Sequence, residues 1–207
     1  MKGKLLENNR PHGLIGSKRI MATISYIECA TEVRADLIES QQRCWDRLGR
    51  PGTWLDGRRK IAVAAETRNA RGCRFCQQQK DALSPNAAKG AHGGLGELSA
   101  NEVDVIHRIV SDPGRLSKAW YSRNREAGLS GEQFVEIVSI VAMVVMVDTF
   151  TFAMGLPDHL LPEPVAGEPT RYRSPGAKVQ AAWVPIVEPK DVSDSDGDLY
   201  PSLEVSY

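Results

Sequence analysis

The chain has no surplus of charge: 26 Lys and Arg side chains stand against 26 Asp and Glu. A partner held by long-range attraction, such as nucleic acid or an anionic membrane surface, requires a basic excess, so neither is expected. Long apolar runs are equally scarce. The longest without a charge is Ile137–Val147, eleven residues, against the roughly 20 that a bilayer-spanning helix needs. No apolar segment of signal-peptide form follows the polar stretch Met1–Arg10, which points to a cytoplasmic protein. Cysteine occurs only at positions 29, 44, 73 and 76, and in a reducing compartment so few thiols do not build a disulfide framework. There is no repeat of fixed period and no series of strand-like alternation. Proline is rare until late in the chain, eight of the twelve falling between Pro157 and Pro201. The earlier part is free to form helices.

What is present reads as helix. Tyr26–Leu48 carries apolar residues mostly three and four apart, predicting one long helix or two short ones ended by Pro51-Gly52. Thr53 and Asp56 have the spacing of a capping-box-like start ahead of Ile61–Ala70, and Gly72 breaks that helix before helical composition resumes at Cys73–Leu83. Ala87–Leu95 is a Gly-rich loop expected to leave His92 exposed. Ser99 with Glu102 forms a capping box opening a helix whose stripe Val103, Ile106 and Val110 also turns His107 inward. Arg115–Glu126 is a further helix. Ser130 with Gln133 opens the last one, running to about Ala153 and apolar nearly all round, as expected of a helix buried in a core or between subunits. Met143, Met146 and Met154 are expected to be core packing, as Cys29 and Cys44 are. The fold class is all-α. Residues 1–22 read as a flexible arm, 23–160 as the helical domain, and 161–207 as an irregular, Pro-rich extension anchored by Trp183 and ending in an acidic, Ser-rich tail.

The segment that carries chemistry is Glu66-Thr-Arg-Asn-Ala-Arg-Gly-Cys73-Arg-Phe-Cys76-Gln-Gln-Gln-Lys80. Redox use of a CxxC needs a thiol at a helix N-terminus, where unpaired N–H groups and the macrodipole favour thiolate. Gly72 before the pair and the Gln-rich helix after it supply that setting, and Arg71, Arg74 and Lys80 add positive charge. The second cysteine lies one turn on, in reach to trap a sulfenic acid as a disulfide. Structural zinc wants a second tight ligand pair, which His92 and His107 in C-x2-C-x15-H-x14-H do not provide. No metal and no cofactor are therefore expected. Glu66, among Ala62, Ala64 and Ala65, is either a carboxyl raised in pKa by apolar surroundings or a surface partner of Arg58, Arg59 or Arg68. His107 is either a satisfied interior histidine or a proton shuttle to the thiols.

A CxxC opening a helix, preceded by an Ala-rich helix and followed by helical hairpins, resembles the AhpD-like (carboxymuconolactone decarboxylase-type) superfamily. Arg59-Lys-Ile-Ala-Val-Ala-Ala-Glu66 through Cys76 is similar to that family's core. His107-Arg-Ile-Val-Ser-Asp-Pro-Gly-Arg115, Phe134-Val-Glu-Ile-Val, Glu168-Pro-Thr-Arg171 and Ala182-Trp-Val-Pro185 resemble an alkylhydroperoxidase-related subgroup. The resemblance implies an AhpD-like fold of helical hairpins assembled as a homo-oligomer (dimer, trimer or hexamer). It also implies reduction of peroxides through a dithiol/disulfide cycle restored by an external dithiol or redox partner. It makes Cys76 peroxidatic and Cys73 resolving, whereas the helix-terminus argument alone favours Cys73. Lys80 stands where the family has its relay His, and Ile61 where it has its Glu. Glu66 is the carboxylate able to substitute, giving Cys73, Cys76, Glu66, Lys80 and His107 as the expected catalytic set. The alternatives are a decarboxylase-like enzyme, which works without a cysteine pair, and an oligomeric scaffold whose thiols bind metal or do nothing.

Overall fold

The computed structural model describes residues 22–180 and 183–194. The expected N-terminal arm up to residue 21 and the acidic tail beyond 194 lie outside the described residues. The described chain is mostly helical, with α1 (Ala35–Gly49), α2 (Gly57–Ala70), α3 (Arg74–Asp81), α4 (Ala100–Ser111), α5 (Lys118–Glu126) and α6 (Gly131–Ala153).

The helix starts follow from side chains that satisfy the orphan N–H groups of a first turn. Asp56 accepts from Arg59 N–H to begin α2, without the Thr53 partner that the sequence suggested. Ser99 with Glu102 and Ser130 with Gln133 form complete capping boxes on α4 and α6. Helices α2, α4 and α6 pack on one another, with α1 against α2 and α3 against α4. Their shared core holds Val63 and Ala64 of α2, Val105 and Ile106 of α4, and Ile137, Ile140, Val144 and Val147 of α6. Each branched side chain buried there contributes about 1.5–3 kcal/mol.

Three local expectations change. Residues 22–34 are not helical; instead Ile24 and Tyr26 are buried while Ile27 is 90% exposed. That is the alternation of an extended segment, and it lets Tyr26 donate a hydrogen bond to Gln41 and lie 3.2 Å from Thr151 of α6. Met146 is 49% exposed, because the inner row of α6 passes through Val144, Val147 and Thr151 instead. Met143 and Met154 pack against the core as expected. Cys29 and Cys44 are only partly buried. The region after Pro157 runs alongside residues 49–53, with Val165 N–H donating to Gly49 O and Arg171 N–H to Thr53 O. A short antiparallel pair, Lys178–Val179 with Pro185–Ile186, follows, and the Trp183 ring lies 6.0 Å from that of Tyr121.

By length and composition α6 would also cross a bilayer, but it carries a buried charge. Asp148 accepts from Arg68 Nε at 2.9 Å and Nη2 at 2.8 Å, and from Arg71 Nη2. Arg71 reaches on to Asp158 at 2.9 Å. This network ties the last turn of α2 to α6 and so fixes where the chain leaves α2 for the cysteine pair. Asp148→Ala removes the buried anion shared by two guanidinium groups and leaves Arg68 with only the more distant Asp158, at 3.7 Å, and the His159 carbonyl. A loss of about 3 kcal/mol is expected, the low end for a broken buried pair because Asp158 remains, measured as a lower urea midpoint at unchanged slope.

Candidate active site

Helix α2 ends at Ala70 and the chain turns through Arg71 and Gly72, whose N–H groups donate to Arg68 O and Asn69 O. Cys73 then occupies the N-cap of α3, with Cys76 in its first turn. Cys73 is half-buried and Cys76 only 3% exposed. Both are free thiols, with the sulfurs inside a cluster whose atoms lie within 4.8 Å of one another.

Two histidines close on the sulfurs. His107 Nδ1, from α4, lies 3.3 Å from Cys76 Sγ. His92 Nδ1, from the Gly-rich loop, lies 3.4 Å from Cys76 Sγ and 3.6 Å from Cys73 Sγ. Behind each histidine stands a carboxylate. His107 Nε2 is 2.8 Å from Glu66 Oε1, both side chains being sealed from solvent. His92 Nε2 is 3.3 Å from Asp104 Oδ1, an ion-pair separation without the alignment of a hydrogen bond. Glu66 is itself fixed by Asn69 Nδ2 at 2.7 Å and by Leu95 N–H at 2.9 Å. Asp104 accepts from Trp120 Nε1 at 2.8 Å.

These contacts set the protonation pattern. Burial alone would push the Cys76 thiol up, but His107 and His92 outweigh it and bring it down to about 6. Cys73 also ends below its ordinary value: burial raises it, while the backbone N–H of Cys76 and then His92 act the other way. Burial would lower His107, and Cys76 with Glu66 raises it instead. His92 is raised in the same sense, against its burial, by Asp104 and the two cysteines. Glu66 is held below the usual carboxylate range, the Leu95 N–H, Asn69 and His107 together overcoming burial. The contacts thus favour the thiolate at Cys76, the protonated form of both imidazoles and the ionised form of Glu66.

Of the residues expected from sequence, Cys73, Cys76, Glu66 and His107 are brought together. Lys80 is not. Its side chain is exposed, because the inner row of α3 runs from Cys76 to Gln79, three residues on. Nor do the neighbouring arginines act on the thiols: Arg71 is held by Asp148 and Asp158, and Arg74 is exposed. Glu66 is neither raised in pKa nor paired at the surface, since Arg58 pairs with Glu97, Arg59 with Glu102 and Arg68 with Asp148.

His92, expected exposed, is a central member of the site with a nearly buried side chain. The signal for it lay in the glycines beside it. A Cβ on Gly90 would stand 2.9 Å from the Phe75 ring, and one on Gly94 3.0 Å from Val103. These glycines allow the loop to lie flat on α3 and α4, carrying His92 inward. Asp104 was not expected in the site; Phe75, His92 and Asp104 also line a cleft of about 410 Å³ walled by glycines, Leu98 and Val103. The four donors Cys73, Cys76, His92 and His107 form a set able to hold a metal ion, which the sequence spacing did not suggest.

No protein-family profile, curated protein or solved structure matches the chain.

Proposed function

We propose that the protein is a thiol-dependent peroxidase of the AhpD-like type, reducing hydroperoxides by cycling Cys73 and Cys76 between dithiol and disulfide. The observation that carries this reading is the chain Glu66–His107–Cys76, a carboxylate, an imidazole and a sulfur in sequential contact, with a second sulfur beside it. A peroxidase needs a stabilised thiolate, a proton for the leaving oxygen and a resolving thiol, and the cluster supplies all three. The mostly apolar cleft beside His92 suits the organic part of an alkyl hydroperoxide.

In the first step the Cys76 thiolate attacks the terminal oxygen of the hydroperoxide and the O–O bond breaks. The sulfur becomes a sulfenic acid, and the alkoxide takes a proton from His107 to leave as alcohol. In the second, Cys73 thiolate attacks the Cys76 sulfur. The S–S bond forms, and the departing hydroxide takes the His92 proton to become water. Two electrons have passed from the sulfurs to the peroxide. An external dithiol returns them by exchange and restores both thiols. A cytoplasmic, homo-oligomeric protein fed by such a reductant belongs to the same proposal.

The test is a thiol count on metal-stripped, reduced protein after one equivalent of an organic hydroperoxide. Two thiols per chain should disappear with formation of the Cys73–Cys76 disulfide, while Cys29 and Cys44 persist. The rate should rise with pH through an apparent pKa near 6 and level off above it, because the reactive thiolate is the form that accumulates as pH increases. A profile rising near 8.5, as for an ordinary thiol, or no loss of the pair, would count against the proposal.

A further inference from the structure

The same four donor atoms all lie within 4.8 Å of one another, close enough to share one metal ion. Three of the four sulfur–nitrogen separations are 3.3, 3.4 and 3.6 Å. In tetrahedral zinc coordination, bond lengths near 2.3 Å to sulfur and 2.0–2.1 Å to nitrogen place those atoms about 3.6 Å apart. Those three separations need a shift of at most a few tenths of an ångström, and the remaining donor pairs, within 4.8 Å, about an ångström to close into a coordination shell. Outside that shell, Glu66 and Asp104 face the Nε2 atoms of His107 and His92. Glu66, at hydrogen-bond distance, holds the His107 ring proton on Nε2 and leaves Nδ1, the atom facing the sulfur, as donor, and Asp104 at ion-pair separation favours the same tautomer of His92. Two thiolates with two imidazoles suit Zn2+ and reject Mg2+ and Ca2+, which require oxygen ligands.

We propose that the reduced chain binds one Zn2+ through Cys73, Cys76, His92 and His107, and that closing the Cys73–Cys76 disulfide expels it. The expulsion half rests on the peroxidase reading; the binding half does not. Binding changes no oxidation state. The sulfurs enter as thiolates, the imidazoles as neutral rings, and the protons they held pass to solvent. When a hydroperoxide oxidises the loaded site, each sulfur loses one electron and the S–S bond forms. The O–O bond breaks to alcohol and water with two protons from solvent, and Zn2+ leaves because both anionic donors are gone. Zinc draws on the same thiolates that attack peroxide, so the bound metal slows the redox cycle and is released when the cycle turns.

The experiment titrates the full reduced, metal-stripped chain with Co2+, whose spectrum reports the ligands, and then displaces it with Zn2+. One Co2+ per chain is expected, showing a sulfur-to-cobalt charge-transfer band and the d–d bands of a tetrahedral site. Asp104→Asn should weaken binding by about ten- to a hundredfold, as loss of an outer partner does, and His92→Ala should weaken it further and shift the d–d bands as water takes the fourth position. The disulfide form should bind no Co2+. Absence of the charge-transfer band in the reduced wild type overturns the site, and binding unaffected by His92→Ala overturns the four-ligand assignment. Thiol loss to peroxide, followed in parallel, separates the two ideas. Thiols lost without Co2+ binding sink the metal site and leave the peroxidase standing. Co2+ binding without thiol loss sinks the peroxidase and the expulsion with it.

Discussion

Cys76→Ser should abolish peroxide-dependent oxidation of the pair, lowering the rate by at least on the order of a thousandfold, because a hydroxyl at this position does not ionise near neutral pH. Cys73→Ser should behave differently. It retains the sulfur in contact with both histidines, so the first step survives and one thiol per chain is consumed. Lacking the resolving sulfur, the variant should stop at sulfenic acid, which a dimedone-type reagent traps and mass spectrometry counts. Each variant removes one sulfur from a site already held by Glu66, the histidines and their carboxylates, so both are expected to fold. If Cys73→Ser were the dead variant and Cys76→Ser the one trapped as sulfenic acid, the assigned roles would be reversed.

His107→Asn is expected to produce the second-largest loss. With its thiol at about 6, Cys76 is about 90% thiolate at pH 7, whereas an unperturbed thiol near 8.5 would be about 3% thiolate. Losing the imidazolium therefore costs up to about 30-fold in reactive species, moderated by the remaining contact with His92. The proton for the departing alkoxide is also lost, and positioned acids of this kind contribute at least about a hundredfold. A loss on the order of a hundredfold or more in the second-order rate constant at pH 7 is expected. Raising the pH to 9 should recover the share due to thiolate population and leave the share due to proton transfer. A purely structural histidine would give no such split. Glu66→Gln, which keeps a hydrogen-bond acceptor but removes the charge, should fall between wild type and His107→Asn and shift the rise of the pH profile upward.

Much of the fold was legible because it is decided locally. A Ser three residues before Glu or Gln satisfies orphan N–H groups whatever surrounds it, so the starts of α4 and α6 could be read from Ser99 and Ser130. The inward turn of His107 followed from its place beside Val103 and Ile106. The segment around Tyr26 was not legible as extended chain, because its conformation is set by a groove against α1 and α6 that only the assembled core provides. Within the site, the sequence neighbours of the cysteines attracted attention as charge sources, yet Arg71 is committed to Asp148 and Asp158, and Lys80 projects outward. The charges that matter come from His92 and His107, at sixteen and thirty-one residues from Cys76. Distances of that kind depend on how loop and helix pack, and the glycines at 90 and 94 signal close packing without saying what it brings together.

The unequal depth of the two sulfurs has a consequence for the return half of the proposed cycle. A small hydroperoxide can penetrate to the inner atom, whereas a bulky protein or cofactor dithiol meets Cys73 first. Exchange then begins at the outer sulfur and ejects the inner one, which departs as a thiolate already welcomed by two imidazoles. A good departing group makes a disulfide easy to open, so the oxidised form should be short-lived wherever its reductant is present. In that proposed cycle the pair would spend most of its time reduced.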